Sequence, residues 1–212
     1  MQTISDPYRE AAGKVLALVD LLAAEGIALA HVDLGGGLGI RYRDESPVAL
    51  ADYAAMLASL FRGRRETLIL EPGRRLVGDA GVLLTRVSHL KRGGTRDFAV
   101  VDAAMNDLLR PALYDAWHPV AAVRPRTGAV RRWQIVGPVC ESADFLAHDR
   151  ELVLEQGDLL VVGAAGAYAM AMSSNYNSRC RPAEVMVDGA NIHLVRPREK
   201  VESLFAGETL LP

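Results

Sequence analysis

Two short apolar runs, each ending in a glycine-rich or charged turn, constrain this chain most. The first is IALAHVDLGGG and the second TLILEPGR, and each follows a segment with helical periodicity. From about Asp6 to Glu25, Ala12, Val15, Leu16, Val19 and Leu22 recur at helical spacing. Ser5 or Asp6 is an N-cap candidate, Pro7 suits the first turn, and Gly26 is placed to end the helix. A second helix is expected over roughly Val48 to Arg65. Helix, strand, helix, strand with short connections implies a parallel sheet with α/β grammar. Two strands close neither a barrel nor a stable sheet, so the chain is expected to begin inside a larger architecture.

After about Val77 the pattern changes. VLLTRVSHL, DFAVVDA, RRWQIVG, LVLEQGDLLVVG, AEVMVDG and NIHLVRP are short β-like segments parted by Gly, Asp-Gly and Pro. They predict an antiparallel β barrel or sandwich, with a helical stretch near Gly166–Met172. The expected organisation is α/β over residues 1–77 and a β domain over 78–212.

Composition narrows the function. Half of the 212 residues are hydrophobic and the net charge is -2, which leaves no basic field for nucleic acid or a membrane surface. Cys140 and Cys180 do not make a disulfide framework or a metal site. No uninterrupted apolar run is long enough to span a membrane, and MQTISDPYREAAGK has no signal-peptide core, so a cytoplasmic protein is expected.

Several motifs could carry chemistry. Gly35, Gly36 and Gly37 follow a strand, where backbone N–H groups could cradle a phosphate, or where the chain simply turns tightly. The spacing is not the dinucleotide fingerprint. Glu71-Pro72-Gly73-Arg74 lies at the other strand end. Ligands gather at the carboxyl ends of parallel strands, so the two motifs reinforce one another. A carboxylate there can bond a protonated ring nitrogen and an arginine can clamp an anion; alone, the motif reads first as an ion pair at a turn. Cys140 in GPVCES could be a small buried hydrophobe. Beside Glu141 and a polar turn, its thiol suits a proton donor better than a nucleophile. Arg110 with Tyr114, and Tyr168 in Gly166-Ala167-Tyr168, could hold a carboxylate or could be core-edge residues.

Together these segments resemble the diaminopimelate decarboxylase family. The matching stretches are HVDLGGGLGI, LILEPGRRLVGDAG, VDAAMNDLLRPALYDAWHP, GPVCESADF and GAYAMAMSSNYNSRCRPAEVMVDG, in the family order and over nearly the whole chain. The resemblance implies pyridoxal 5'-phosphate as cofactor and a TIM-type (β/α)8 barrel followed by a β domain, of which this chain holds the last barrel strands. It implies that Gly35, Gly36, Gly37, Gly73 and Arg74 surround the cofactor phosphate, that Glu71 pairs with the pyridine nitrogen, and that Tyr168 sits against cofactor and substrate. It further implies that Arg74, Arg110 and Tyr114 hold the distal carboxylate of the substrate, that Glu141 binds its distal amino group, and that Cys140 protonates the carbanion left by carbon dioxide. In the family that cysteine acts in the partner subunit's site, which implies a homodimer. An arginine aimed at a cationic tail would repel ornithine-like substrates, so Arg110 favours a substrate with a second carboxylate.

The family's Schiff-base lysine lies far upstream of the glycine loop, and the only lysines here are Lys14, Lys91 and Lys200, none in a family motif. A half-barrel would expose sheet edges and an apolar face. The chain by itself is therefore expected to fold poorly and to be inactive, and a complementing amino-terminal segment is implied. Other readings are a non-catalytic relic that dimerises through the β domain, and a related decarboxylase acting on another amino acid or a carboxylated polyamine.

Overall fold

A computed structural model describes residues 6–211, which form two compact units divided after Gly78. Ser5, one of the two N-cap candidates, lies outside the described residues.

The first unit runs α1 (Asp6–Ala24), β1 (His31–Asp33), α2 (Leu50–Leu60), β2 (Thr67–Ile69) and a short α3 (Gly73–Val77). A Schellman turn ends α1: Ile27 N–H bonds to Leu22 O at 2.9 Å and Gly26 N–H to Ala23 O at 3.0 Å, with Gly26 at φ +86°. Strands β1 and β2 pair in parallel, Val32 opposite Leu68. Pairing covers three residues of each strand, fewer than the apolar runs suggest, because Gly35 and Gly37 take positive φ and turn the chain away. Leu16 and Val19 of α1 bury against Val32, and Leu38, Tyr53, Met56 and Leu57 form a second cluster. On α1, Ala12, Leu16 and Val19 are buried as their spacing predicts, whereas Val15 of the same set is exposed.

The second unit is built on a six-stranded sheet ordered β5-β8-β3-β4-β6-β7. Its strands are β3 (Leu83–Arg92), β4 (Asp97–Val101), β5 (Val120–Ala122), β6 (Arg131–Val136), β7 (Phe145–Leu152) and β8 (Leu159–Val162). The edge strands β5 and β7 also touch, so the sheet curls into an almost closed barrel. Its filling is apolar: Val87, Val101, Leu108, Trp133, Ile135, Leu146, Leu160 and Val162 are nearly inaccessible. Trp133 can sit there because its indole N–H bonds to Leu152 O at 3.1 Å.

The antiparallel expectation needs one correction. Strands β4 and β6 are parallel, Ala99 opposite Ile135. A parallel pair needs a long connection, and residues 102–130 supply it, carrying α4 (Arg110–Tyr114) and β5. Two further segments leave the barrel as a separate hairpin, β9 (Glu184–Asp188) with β10 (Asn191–Arg196), turning at Gly189. The helical stretch expected at Gly166–Met172 shrinks to a 3-10 turn at Met170–Met172, since Tyr168 at φ +62° cannot continue a helix. Among the described residues no helix is long and apolar enough to cross a membrane.

Candidate functional site

In the first unit the two strand ends are laced together by backbone. Leu34 N–H bonds to Ile69 O at 3.1 Å, and Glu71 N–H to Gly35 O at 2.8 Å. Gly36 faces the second loop so closely that a Cβ there would collide with the Glu71 carbonyl. Gly35 (φ +68°) and Gly73 open instead onto empty space, with nothing within 4 Å of where a Cβ would stand. Asp33 stiffens the turn by accepting Gly35 N–H at 2.7 Å, and Tyr8 donates its phenol to Gly37 O at 3.0 Å. Glu71 follows β2, and Arg74 occupies the first turn of α3 just beyond. The unit therefore presents a carboxylate, an arginine and an open glycine backbone at the carboxyl ends of adjacent parallel strands, suited to an anionic group and a protonated heterocycle.

In the second unit Arg110 opens α4, preceded by Leu109 as N-cap and followed by Pro111 at a position where its missing N–H costs nothing. The Arg110 guanidinium lies 5.9 Å from the centre of the Tyr168 ring. It donates to His118 Nε2 at 3.2 Å. His118 is fully buried, and its Nδ1 is 3.0 Å from Gly163 O. Burial pushes this imidazole below its usual pKa, and the nearby cations Arg110 and Arg150 act in the same direction against the Gly163 bond. Tyr114, at the far end of α4, is exposed. No sequence motif singles out His118; the polar residue in AWHP ahead of an apolar strand is the one signal for a buried hydrogen-bonded side chain.

The third cluster is on the loop after β6. Cys140 is exposed rather than packed as a small hydrophobe. Glu141 Oε2 accepts the Tyr176 hydroxyl at 3.2 Å, and that carboxylate raises the phenol above its ordinary pKa. Tyr176 thus joins Glu141, a role that its place in SSNYNSRC could not disclose. The three lysines lie outside these motifs: Lys14 pairs with Glu10 at 2.7 Å on α1, and Lys91 and Lys200 are exposed in the second unit.

Comparison with known proteins places the chain in one family. The family model described as "Pyridoxal-dependent decarboxylase, C-terminal sheet domain" matches residues 10–166. A diaminopimelate decarboxylase of Pseudomonas aeruginosa is 58% identical over 207 residues, covering 98% of this chain and 50% of that protein. Among solved structures, diaminopimelate decarboxylase from Helicobacter pylori complexed with L-lysine is 38% identical, with a TM-score of 0.89 over 97% of this chain and 51% of that one. The corresponding enzyme from M. jannaschii is 37% identical, with a TM-score of 0.92 over 100% of this chain and 50% of its own. The chain spans about half the length of the curated relatives it matches. On the family match, the chain belongs to the pyridoxal-dependent decarboxylases that carry this C-terminal sheet domain.

Proposed function

We propose that the chain is the carboxy-terminal part of a diaminopimelate decarboxylase, which uses pyridoxal 5'-phosphate to convert meso-2,6-diaminopimelate into L-lysine and carbon dioxide. The observation that carries this reading is the lacing of the Gly35–Gly37 loop to Glu71 at the ends of two parallel strands. In this reading β1 and β2 are the last strands of a TIM-type barrel whose remaining strands come from a complementing amino-terminal segment.

The residues of the first unit fit the cofactor. The open backbone at Gly35 and Gly73, with Gly36, Gly37 and Arg74, suits its phosphate, and Glu71 suits its ring nitrogen. A lysine to anchor it covalently does not accompany them among the described residues, and in this reading the complementing segment brings it. When bound, the cofactor supplies an electron sink for the pair left on the α-carbon as carbon dioxide leaves.

The other residues bind and orient. Arg110, Arg74 and Tyr114 receive the substrate's distal carboxylate, the two arginines as charge-assisted donors. Tyr168 holds Arg110 from one side while His118 accepts one of its N–H groups from another, so the guanidinium is oriented before substrate arrives. In this reading Tyr168 also serves cofactor and substrate. Glu141, held by Tyr176, receives the distal ammonium. The Cys140 thiol gives its proton to the α-carbon. In this reading Cys140 and Glu141 serve the site of the partner subunit in a homodimer.

The test is reconstitution. The chain is co-expressed with the amino-terminal half of the Pseudomonas aeruginosa relative, and carbon dioxide release from diaminopimelate is measured with pyridoxal phosphate present. Turnover by the pair and by neither half alone is expected. A soluble pair that binds the cofactor yet leaves diaminopimelate untouched would refute the reading.

A further inference from the structure

The loop that carries Cys140 and Glu141 runs from Gly137 to Asp144, and its two ends make each other. The Asp144 carboxylate is buried, 3% exposed. One oxygen accepts Val139 N–H at 2.8 Å, immediately before Cys140. The other accepts Met105 N–H at 2.7 Å, in the turn that leads to Arg110. Gly137 N–H bonds to Asp144 O at 2.9 Å. A Cβ on Gly137 would run into the same carboxylate, with Asp144 Cγ only 2.7 Å away. Glycine stands at 137 because the space a side chain needs is filled by Asp144.

The turn at Met105 is itself a junction. Asp107 accepts Ala104 N–H at 2.9 Å, and the almost fully buried Asn106 exchanges bonds with Ser174, accepting Ser174 N–H at 3.0 Å and donating Nδ2 to Ser174 O at 3.2 Å. Arg179 donates to Asn106 Oδ1 at 2.9 Å and to Asp102 O at 2.6 Å. The loop that bears Tyr176 is therefore tied to the same turn as the loop that bears Cys140 and Glu141.

We infer that Asp144 is a positioning residue: its carboxylate, bridging Val139 and Met105, sets the place of Cys140 and Glu141 relative to the turn before Arg110. Its meaning for catalysis rests on the function proposed above; the bridging itself does not. The bonds are charge-assisted, and in a buried setting they hold the backbone more firmly than neutral ones. Asparagine cannot substitute, because its amide nitrogen would face one of the two N–H donors.

The experiment uses the full chain co-expressed with the amino-terminal half of the Pseudomonas aeruginosa relative, freed of cysteine, with a nitroxide on Cys140 in a Cys180→Ser background. A control label is placed on the exposed Arg124, as Arg124→Cys with both native cysteines changed to serine. Asp144→Asn, Asp144→Ala and Gly137→Ala are each expected to narrow the Cys140 line and leave the control line unchanged. Amide exchange at Val139 and Met105 is expected to accelerate about tenfold in Asp144→Ala. In the reconstituted decarboxylase, Asp144→Asn should lower kcat about tenfold with cofactor affinity unchanged. An unaltered Cys140 line in all three variants overturns the inference, and so does equal narrowing of both labels, which would make Asp144 a general support of the barrel. Selective narrowing in a protein that never turns over diaminopimelate would uphold the positioning and sink the functional reading.

Discussion

Arg110 donates to His118 Nε2 at 3.2 Å, and His118 Nδ1 reaches Gly163 O at 3.0 Å. A guanidinium can only donate and a carbonyl can only accept, so the imidazole between them is neutral, with its proton on Nδ1. Protonating Nε2 would set two donors against each other inside a buried site.

A dependence of stability on pH follows. The folded His118 has a lowered pKa, so its contribution is fully present above the unfolded histidine value of about 6.5 and is lost as pH falls from there through the folded value. Urea unfolding followed by tryptophan fluorescence should show wild type losing stability between about pH 7.5 and 5. A His118→Asn variant, less stable at neutral pH by about 1–3 kcal/mol, should lose less over that span. The raised pKa values of the buried Asp107 and Asp144 act oppositely, adding stability as pH falls, so the difference between the two proteins is the quantity to read.

Substrate choice should turn on Arg110. Arg110→Met removes the charge and keeps most of the stem that lies against Tyr168. In the reconstituted enzyme kcat/KM for diaminopimelate is expected to fall about 10–100-fold, the span of a lost charged hydrogen bond or two. L-Lysine, the product, keeps the distal carboxylate, so its inhibition should weaken in parallel with the loss for diaminopimelate. Steady-state kinetics with lysine as inhibitor measures both.

The glycine loop should discriminate sharply between neighbours. Gly36→Ala forces the loop off the Glu71 carbonyl, at a cost of about 1–3 kcal/mol and with weakened cofactor binding. Gly35→Ala meets open space, so only its φ of +68° is penalised, about 1–2 kcal/mol. Thermal melts without ligand rank the two, and with pyridoxal phosphate the ligand-induced rise in Tm should shrink for both, since the Gly35→Ala methyl would enter the space proposed for the phosphate.

Tyr176→Phe removes the hydroxyl that bonds Glu141 on the surface. Tm should be unchanged, while KM for diaminopimelate rises several-fold and kcat holds, the pattern of lost binding common to ground and transition states.

Much of the fold was legible because local chemistry and global packing agree. Gly26 ends α1 in a Schellman turn, and the spacing of Ala12, Leu16 and Val19 marks the buried face. The parallel pairing of β4 with β6 was not legible, since short β segments look the same whichever neighbour they choose. At the site, glycines and carboxylates at strand ends announced themselves by position. His118, Asn106 and Asp144 did not, because a buried polar residue is defined by partners far along the chain, such as Gly163 for His118 and Ser174 for Asn106.

The connection from residue 102 to 130 has a kinetic consequence. It carries Arg110 and His118, and it must be laid down before β6 can dock in parallel beside β4 at the centre of the barrel. No hairpin can nucleate that pair, so its closure is a slow, non-local event. During refolding, the segment that orients the substrate and the middle of the sheet are then acquired in one step, and quenched-flow amide exchange at Ala99 and Ile135 should keep time with the burial of His118.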